Sequence, residues 1–365
     1  MDYLTRKITD RLTARQGHLL TDAETRFIIA ASRDQNRQTA SCDVDRMQVL
    51  LRLEPGILKT VGPAALHNAI QFRGTEDAVR FLLDRGVRAF DLDLGLEYPL
   101  NATLRNNNLE SLRLILEAGV GDASTVTEQA NSDGLANVSL LYWVANLGLD
   151  TAYVELLLKH GADPELPLIG NGERGTTVLQ EAVAHPLASD GTPTPDPVWA
   201  WRKLEVARAI VEQGARYDIY SAAGLDDRDH VRKLVAKNRD AAHRPGDGGM
   251  TPLHWAARNN ATRCATWLLK RDVDANALNL AQRTAVHLAA DWNHTDMLWL
   301  LAAAGVDIDV PDANGRTPLH RATFLGRVEA AEILILLDAD TEACDLSGRT
   351  PFDIARQGCA FLQGA

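Results

Sequence analysis

One heptapeptide pattern recurs four times in the last third of the chain: TPLHWAA at 251–257, TAVHLAA at 284–290, TPLHRAT at 317–323 and TPFDIAR at 350–356. Each copy begins 33 residues after the one before it. The threonine suits a helix N-cap, and the proline suits the first helical position, where a backbone N–H is not needed. The small and apolar residues that follow predict a short helix that packs closely against its neighbours.

The second half of each period predicts another helix, because apolar residues such as Ala265, Leu268 and Leu269 recur at helical spacing. This helix is expected to end at a left-handed residue 21 positions after the threonine. The expected stops are Asp272, Gly305 and Asp338. With its period of 33 residues and its T-P-L-H starts, the segment resembles the ankyrin repeat family, whose unit is a β-turn followed by two antiparallel helices. The resemblance implies an all-α solenoid with short β-turn fingers.

The same template finds degenerate units upstream. Their first helices are predicted to open at Thr25, Ala64, Tyr98, Ser139, Thr177 and Tyr217. The left-handed stops predicted for the last five of these units are Gly86, Gly119, Gly161, Gly214 and Asn238. The first unit has a predicted second helix near 44–53. Together these segments make about ten units, the last of them truncated.

Repeat regularity suggests three parts. We expect an N-terminal capping segment at 1–24, degenerate ankyrin-like repeats at 25–216, and regular repeats with a truncated C-terminal cap at 217–365. A Pro- and Trp-rich insertion near 185–201 interrupts the middle part. Since proline removes a helical hydrogen bond, the insertion is not expected to be helical throughout.

Composition narrows the class of protein. A chain of 365 residues exceeds the roughly 250–300 residues that one hydrophobic core serves. The net charge is −11, so we expect no nucleic-acid partner and no membrane partner, both of which favour basic surfaces. The four cysteines are scattered without a CxxC pair, which argues against a zinc site and fits a reducing compartment. We expect a cytoplasmic protein without a cofactor.

Histidines recur at one position of the repeat, at His67, His254, His287 and His320. They look catalytic at first, but a fixed period spaces them along the stack instead of bringing them together. The resemblance to ankyrin repeats implies a structural role, in which the imidazole hydrogen-bonds the backbone of neighbouring units.

The leading hypothesis is a non-enzymatic scaffold that binds a protein or peptide partner through its concave face. Arginines precede three of the repeat threonines, so they are expected to stack along the fingers, where they could meet an acidic partner. In each repeat, the two residues that follow the small residues of the first helix are expected to face the concave groove. Apolar residues at these positions suggest anchors for a partner. The proposed partner-binding residues are Phe72, Arg258, Arg283, Asp291, Trp292, Arg316, Phe324, Leu325 and Arg349.

Two other functions remain open. An unusual enzyme or small-molecule binder would place its pocket in the irregular middle repeats, at about 146–258, where the regular pattern breaks. The residues proposed for that pocket are Tyr142, His185, Trp199, Trp201, Tyr217, Asp218 and Tyr220. A secreted effector or toxin-neutralising partner is the third class. The sequence leaves the oligomeric state open.

Overall fold

The computed structural model describes residues 10, 20–31, 42–72, 74–88, 99–120, 123, 126–127, 135–136, 138–165, 167–170, 176–183 and 197–356. The chain divides into two compact units, Met1–Val178 and Leu179–Ala365. Both units are built from pairs of short helices, which confirms the predicted all-α repeat fold. The predicted boundaries at 24 and 216 follow the regularity of the sequence and stay a prediction.

The first unit contains eight described helices. They are α1 Asp22–Ala30, α2 Val44–Leu53, α3 Ile57–Ile70, α4 Glu76–Asp84, α5 Pro99–Arg105, α6 Leu109–Glu117, α7 Leu140–Leu147 and α8 Thr151–Lys159. The first helices of successive repeats, α1, α3, α5 and α7, pack against one another, and so do the second helices α2, α4, α6 and α8. The core of this unit therefore lies between two rows of helices.

Short antiparallel strands connect the later repeats of the first unit. They are β1 Val126–Thr127, β2 Leu135–Ala136, β3 Val138–Ser139, β4 Pro167–Gly170 and β5 Thr176–Thr177. Strand β1 pairs with β3, with Val126 opposite Ser139. Strand β4 lies between β2 and β5, with Leu168 opposite Thr176. These pairings are the short fingers expected between the helix pairs.

The second unit continues the helix pairs. Its helices are α9 Val178–Val183 at the boundary, α10 Pro197–Glu212, α11 Ile219–Gly224, α12 Arg228–Lys237, α13 Pro252–Arg258, α14 Thr262–Leu269, α15 Ala285–Asp291, α16 Thr295–Ala303, α17 Pro318–Phe324 and α18 Val328–Leu336. Residues 351–356 are also helical. Helices α11, α13, α15 and α17 pack in succession, with α12, α14, α16 and α18 as the second row. Ala256, Ala257, Ala289 and Ala290 are fully buried, because small side chains let successive first helices approach closely.

The predicted helix ends are mostly confirmed. Left-handed backbone occurs at Gly86, Gly119, Gly161, Gly214, Asp272, Gly305 and Asp338. The stop predicted at Asn238 is wrong, because this residue has an extended backbone with φ −145°. Its side chain instead accepts a hydrogen bond from the backbone N–H of Asp240 and caps a short 3₁₀-helix, Arg239–Ala242. In this repeat, the second helix is therefore followed by a capped 3₁₀-helix and not by a left-handed residue.

Two predicted helix starts in the first unit are also corrected. Helix α1 begins at Asp22, and its N-cap is Thr21, which exchanges hydrogen bonds with Glu24 in a capping box. Thr25 is therefore inside the helix. Helix α3 begins at Ile57, so Ala64 lies at its centre, and the helix continues through Pro63. The extra residues lengthen this repeat beyond the regular template.

Single hydrogen bonds link the fingers of the second unit. The backbone N–H of Leu280 donates to the carbonyl of Gly248 at 2.9 Å, and that of Leu346 donates to the carbonyl of Asn314 at 3.0 Å. Left-handed Gly249 and Gly315 bring the backbones together, since a Cβ on Gly315 would lie 2.8 Å from the Leu346 nitrogen. Successive fingers are thus held in register along this unit.

Candidate functional site

The finger arginines face aspartates of the same structure. Nε of Arg283 lies 3.8 Å from Oδ2 of Asp312, and Nε of Arg316 lies 3.9 Å from Oδ2 of Asp345. Nη2 of Arg349 lies 2.8 Å from the same Asp345 oxygen. The exposed fraction of the arginine side chain rises from 11% at Arg283 to 31% at Arg349. The predicted ladder therefore alternates cations with anions, and it becomes accessible only toward residue 349.

Asp345 shows how strongly these fingers hold a carboxylate. Its Oδ1 accepts the backbone N–H groups of Ser347 and Arg349, and its Oδ2 accepts two hydrogen bonds from the Arg349 guanidinium. Although burial opposes ionisation, these hydrogen bonds lower the pKa of Asp345 to about 2. The carboxylate is therefore ionised at neutral pH, and it neutralises the arginines beside it.

Asp291 lies in a buried cluster of four charges. Arg321 donates two hydrogen bonds to its carboxylate, from Nε to Oδ1 at 2.5 Å and from Nη2 to Oδ2 at 2.8 Å. Nη1 of Arg283 lies 3.7 Å from Oδ2 of Asp291, and Nη1 of Arg321 lies 3.8 Å from Oδ2 of Asp312. Burial raises the pKa of Asp291 and lowers that of Arg283, while each group's oppositely charged partners counteract the shift.

The expectation that Asp291 faces a partner is therefore corrected, because only 1% of its surface is exposed. The reason lies in the next repeat. The slot that holds Trp255 and Leu288 in the two preceding repeats holds Arg321 in α17. An arginine buried at a normally apolar position needs a carboxylate, and Asp291 supplies it.

The other predicted groove residues differ in accessibility. Arg258 is buried, with its guanidinium carbon 5.6 Å from the centroid of the Trp255 ring, and its carbonyl lies 3.0 Å from Nε2 of His294. Trp292 is half-buried, as is Phe72 in the first unit. Of these residues, the two aromatics keep surface that a partner could contact.

An apolar groove lies at the C-terminal side of α17 and α18, and we call it the end groove. Its volume is about 570 Å³. It is lined by Ala322, Thr323, Phe324, Leu325, Gly326, Arg327, Val328, Ala331, Glu332, Ile335 and Ala355. Phe324 is 45% exposed, which is unusual for a phenylalanine in a helix of a folded unit. Two residues chosen from the sequence, Phe324 and Leu325, thus lie together in one groove.

Arg316 holds the Phe324 ring from the finger side. Its guanidinium carbon lies 4.8 Å from the centroid of the ring, within the range of a cation–π interaction. Nε of the same arginine lies 3.9 Å from Oδ2 of Asp345. This finger arginine therefore orients an exposed aromatic side chain.

The repeated histidines lie between repeats. Nδ1 of His287 accepts a hydrogen bond from the backbone N–H of Thr284 at 3.1 Å, and Nε2 lies 3.0 Å from the carbonyl oxygen of Arg316 in the next finger. His254 and His320 make the same pair of contacts, to the carbonyls of Arg283 and Arg349. Each imidazole contacts backbone at both nitrogens, which agrees with a structural role. His67 is buried in α3.

Several of the residues proposed for an alternative pocket take part in local structure. Tyr142 is buried within α7 of the first unit, whereas Trp201 is exposed on α10 of the second. Asp218 caps α11 by accepting the backbone N–H of Ser221, and the Tyr220 hydroxyl donates to the carbonyl of Arg244. His185 and the side chain of Trp199 lie outside the described residues.

Tyr217 belongs to a polar cluster that resembles a catalytic one. Its ring stacks on His230 with centroids 4.0 Å apart, and its hydroxyl donates to Oδ2 of Asp227 at 2.5 Å. Burial and the Asp227 carboxylate raise the pKa of Tyr217 well above its usual range. Burial also raises the pKa of the nearby Cys264 thiol, which is completely inaccessible. A thiol that stays protonated and buried is a poor nucleophile. Within the cluster, Asp227 caps α12 by accepting the backbone N–H of His230.

Among the described residues, no group of three or more His, Cys, Asp and Glu side chains is arranged to hold a metal ion. No helix in the described part of the chain combines the length and the apolar character needed to cross a membrane. Arg321, Asp312 and Asp345 were not among the site residues predicted from the sequence. The burial of Arg321 could have been predicted, because the equivalent position is apolar in the two preceding repeats.

The fold defines a helical repeat protein, and the end groove is an exposed apolar surface on its described part. A family model described as ankyrin repeats (3 copies) matches residues 219–312 and 274–345, so this part of the chain consists of ankyrin repeats. The two ranges cover about a third of the chain. Ankyrin repeats generally mediate protein–protein interaction. No curated protein matches the chain.

Proposed function

We propose that the chain is a non-enzymatic ankyrin-repeat scaffold that binds a protein or peptide partner through the concave face of its C-terminal repeats. The regular repeats after residue 217 carry the binding surface, and the degenerate repeats of 25–216 extend the scaffold. The single observation that supports this proposal most is the end groove, which exposes Phe324 beside matched ankyrin repeats.

The chemistry of the end groove suits an apolar side chain of a partner. Val328, Ala331 and Ile335 provide an aliphatic wall, and Phe324 provides an aromatic edge. Arg327 and Glu332 supply polar groups beside this apolar surface. An apolar centre with a polar rim is the usual arrangement of a protein-binding hot spot. Half-buried Trp292, in the preceding repeat, is proposed as a second anchor.

The finger arginines take a revised part in this proposal. Arg283 and Arg316 are charge-paired within the fold, so they position neighbouring groups and contribute little free charge to a partner. Arg349 is the most accessible of the three, and it would touch the rim of a bound segment. The end groove therefore favours an apolar anchor over a mainly acidic partner.

The test uses photocrosslinking at Phe324. A photoreactive phenylalanine analogue at position 324 should crosslink a partner from cell extract, and the same analogue at Phe352 serves as the matched control. Phe352 is also an exposed aromatic residue in a repeat helix, but it does not line the end groove. Once the partner is purified, Phe324→Ala should weaken its binding by about 2 kcal/mol, whereas Phe352→Ala should leave it unchanged. Equal affinities for the parent and Phe324→Ala would refute the proposed site.

A further inference from the structure

The second helices α12 and α14, together with the residues that follow each of them, border a second groove, which we call the basic groove. It is open to solvent, with a volume of about 720 Å³, inside the range of roughly 300–1,000 Å³ usual for ligand sites. Four cations and one anion line it, together with three less polar residues. The lining residues are Asp229, Arg232, Lys233, Val235, Ala236, Arg239, Trp267 and Arg271.

The cations of the basic groove are available to a partner. Lys233 and Arg239 are exposed, and neither forms an ion pair with any residue in the described part of the chain. Arg232 lies 3.6 Å from Asp229, a long and exposed pair. Arg271 donates to the backbone carbonyl of Trp267 at 3.0 Å and places its guanidinium carbon 3.3 Å from the centroid of that ring. The finger arginines differ, since aspartates of the fold face them.

The positive charge is concentrated on α12 and on the residues that follow α12 and α14. Arg228 with Arg232, and Lys233 with Lys237, place like charges four residues apart on α12, an arrangement that disfavours a helix. The second helices of the next two repeats, α16 and α18, contain no lysine or arginine and carry Asp296, Glu329 and Glu332. Because the whole chain has a net charge of −11, a cationic groove here is not a consequence of overall composition.

We propose that the basic groove binds an acidic peptide segment that carries an apolar side chain between its carboxylates. Val235, Ala236 and the half-buried Trp267 form an apolar floor, and Lys233, Arg239 and Arg271 stand beside it. Carboxylates of a peptide complement these cations, while its apolar side chain meets the floor. A nucleic acid is less well matched, since it requires a long basic track on a protein of favourable charge. This surface is distinct from the end groove.

The experiment measures binding of labelled octapeptides to the full chain by fluorescence anisotropy. The main probe has two central leucines flanked by glutamates. One control peptide replaces every glutamate by glutamine, and another replaces the leucines by glycine. We expect the main probe to bind most tightly and to lose affinity as ionic strength rises. Equal binding of the glutamine peptide, or tighter binding of a short oligothymidylate, would overturn the proposal.

Charge-matched variants locate the site. Lys233→Glu combined with Arg239→Glu should weaken the main probe by about tenfold or more, and the milder Lys233→Gln with Arg239→Gln should have a smaller effect. The control is Arg52→Glu with Lys59→Glu, which makes the same change in net charge at exposed residues of the first unit. Equal loss in the control would show a non-specific charge effect and reject the site. Phe324→Ala should bind the probe normally, which separates this test from that of the end groove.

Discussion

At the residue scale, His287 shows how hydrogen bonds connect one repeat to the next. The backbone N–H of Thr284 points at Nδ1, so the neutral imidazole carries its proton on Nε2 and donates to the carbonyl of Arg316. A protonated ring would place a second donor against the Thr284 N–H. Burial lowers the pKa of His287 to about 4, and the nearby guanidinium groups of Arg321 and Arg283 act in the same direction.

This geometry predicts a pH-dependent stability. Between about pH 6.5 and pH 4 the unfolded chain binds a proton at His287 that the folded chain does not, so the free energy of unfolding falls as the pH falls through this window. Above pH 6.5 the contribution is fully present, and its loss at low pH is on the order of 3 kcal/mol. Urea unfolding of the second unit at a series of pH values measures the effect.

Two glutamine variants separate the contribution of His287 to the pH dependence of stability from that of other groups. His287→Gln removes the titrating group, so the stability of this variant should depend less on pH than that of the parent. His243→Gln changes an exposed histidine in the same unit and should keep the parental slope. If both variants have the same slope as the parent, His287 does not titrate in the way that its hydrogen bonds require.

Asp291 and Arg321 show the limit of reading single residues from the sequence. In the sequence Asp291 looks like a surface residue, and Arg321 stands out only as a charge at a position that is apolar in the preceding repeats. Their common burial depends on facing positions in two successive repeats. The pair satisfies itself with two direct hydrogen bonds, while Arg283 and Asp312 complete the balance of charge. A buried pair of this kind specifies which repeat packs on which, because removing one partner leaves an uncompensated charge.

At the element scale, neighbouring fingers are held together by close backbone contacts. Replacing a glycine at such a contact by alanine adds a methyl group and tests the contact. Gly315 and Gly348 have almost the same left-handed backbone, with φ +73° and +72°, but only a Cβ at Gly315 would meet a neighbouring finger, 2.8 Å from the Leu346 nitrogen. Both alanine substitutions should cost about 1–2 kcal/mol for the backbone conformation, and Gly315→Ala should cost more. Thermal unfolding of the two variants gives the difference. Equal costs would mean that the contact between the fingers contributes nothing.

The sequence predicted the repeat elements where local chemistry alone decides them. The second helices ended at the predicted glycines, such as Gly119 and Gly305 at 21 positions after the predicted start, since only a left-handed backbone was required there. The helix stop predicted at Asn238 was wrong because the side chain of this residue caps the 3₁₀-helix Arg239–Ala242 instead. The helix start predicted at Thr25 was wrong because Thr21 forms a capping box with Glu24. Both errors arise from side-chain competition that a fixed template does not contain.

The candidate site was predictable only in part, for a related reason. Phe324 and Leu325 were identified because their slots and apolar character are both visible in the sequence, and they lie in the end groove. The exposure of a charged residue depends on what faces it across two repeats. Arg283 and Asp291 were therefore assigned to a partner that the fold itself supplies. The basic groove was missed because its cations come from two successive repeats, and two of them, Arg239 and Arg271, follow the second helices.

At the scale of the whole molecule, the second unit repeats the same side-chain hydrogen bonds from one repeat to the next. In the described part of the first unit, such bonds do not recur at one repeat position. Histidines at one slot reach the next finger, and Arg327 donates to the carbonyl of Asp291 in the preceding repeat. Asn293 likewise accepts the backbone N–H of Ala330. In the first unit, comparable bonds among the described residues include Asn106 to the carbonyl of Gln71. Stability in repeat proteins is a sum of such neighbouring interfaces.

Regional hydrogen exchange should therefore be slower in residues 219–345 than in residues 42–117, because more bonds between repeats must break before those amides open.

The variant Asp291→Ala, measured in the same way, perturbs the interface between two repeats. It should accelerate exchange in α15, α17 and their partners α16 and α18, and leave residues 42–117 unchanged, since repeats couple to their neighbours. The matched control is Glu110→Ala, which removes an exposed carboxylate that pairs with Arg80 and Arg113 and should have little effect anywhere. Faster exchange in the second unit than in the first, or acceleration by Asp291→Ala across both units, would show that these interfaces do not set the order of opening.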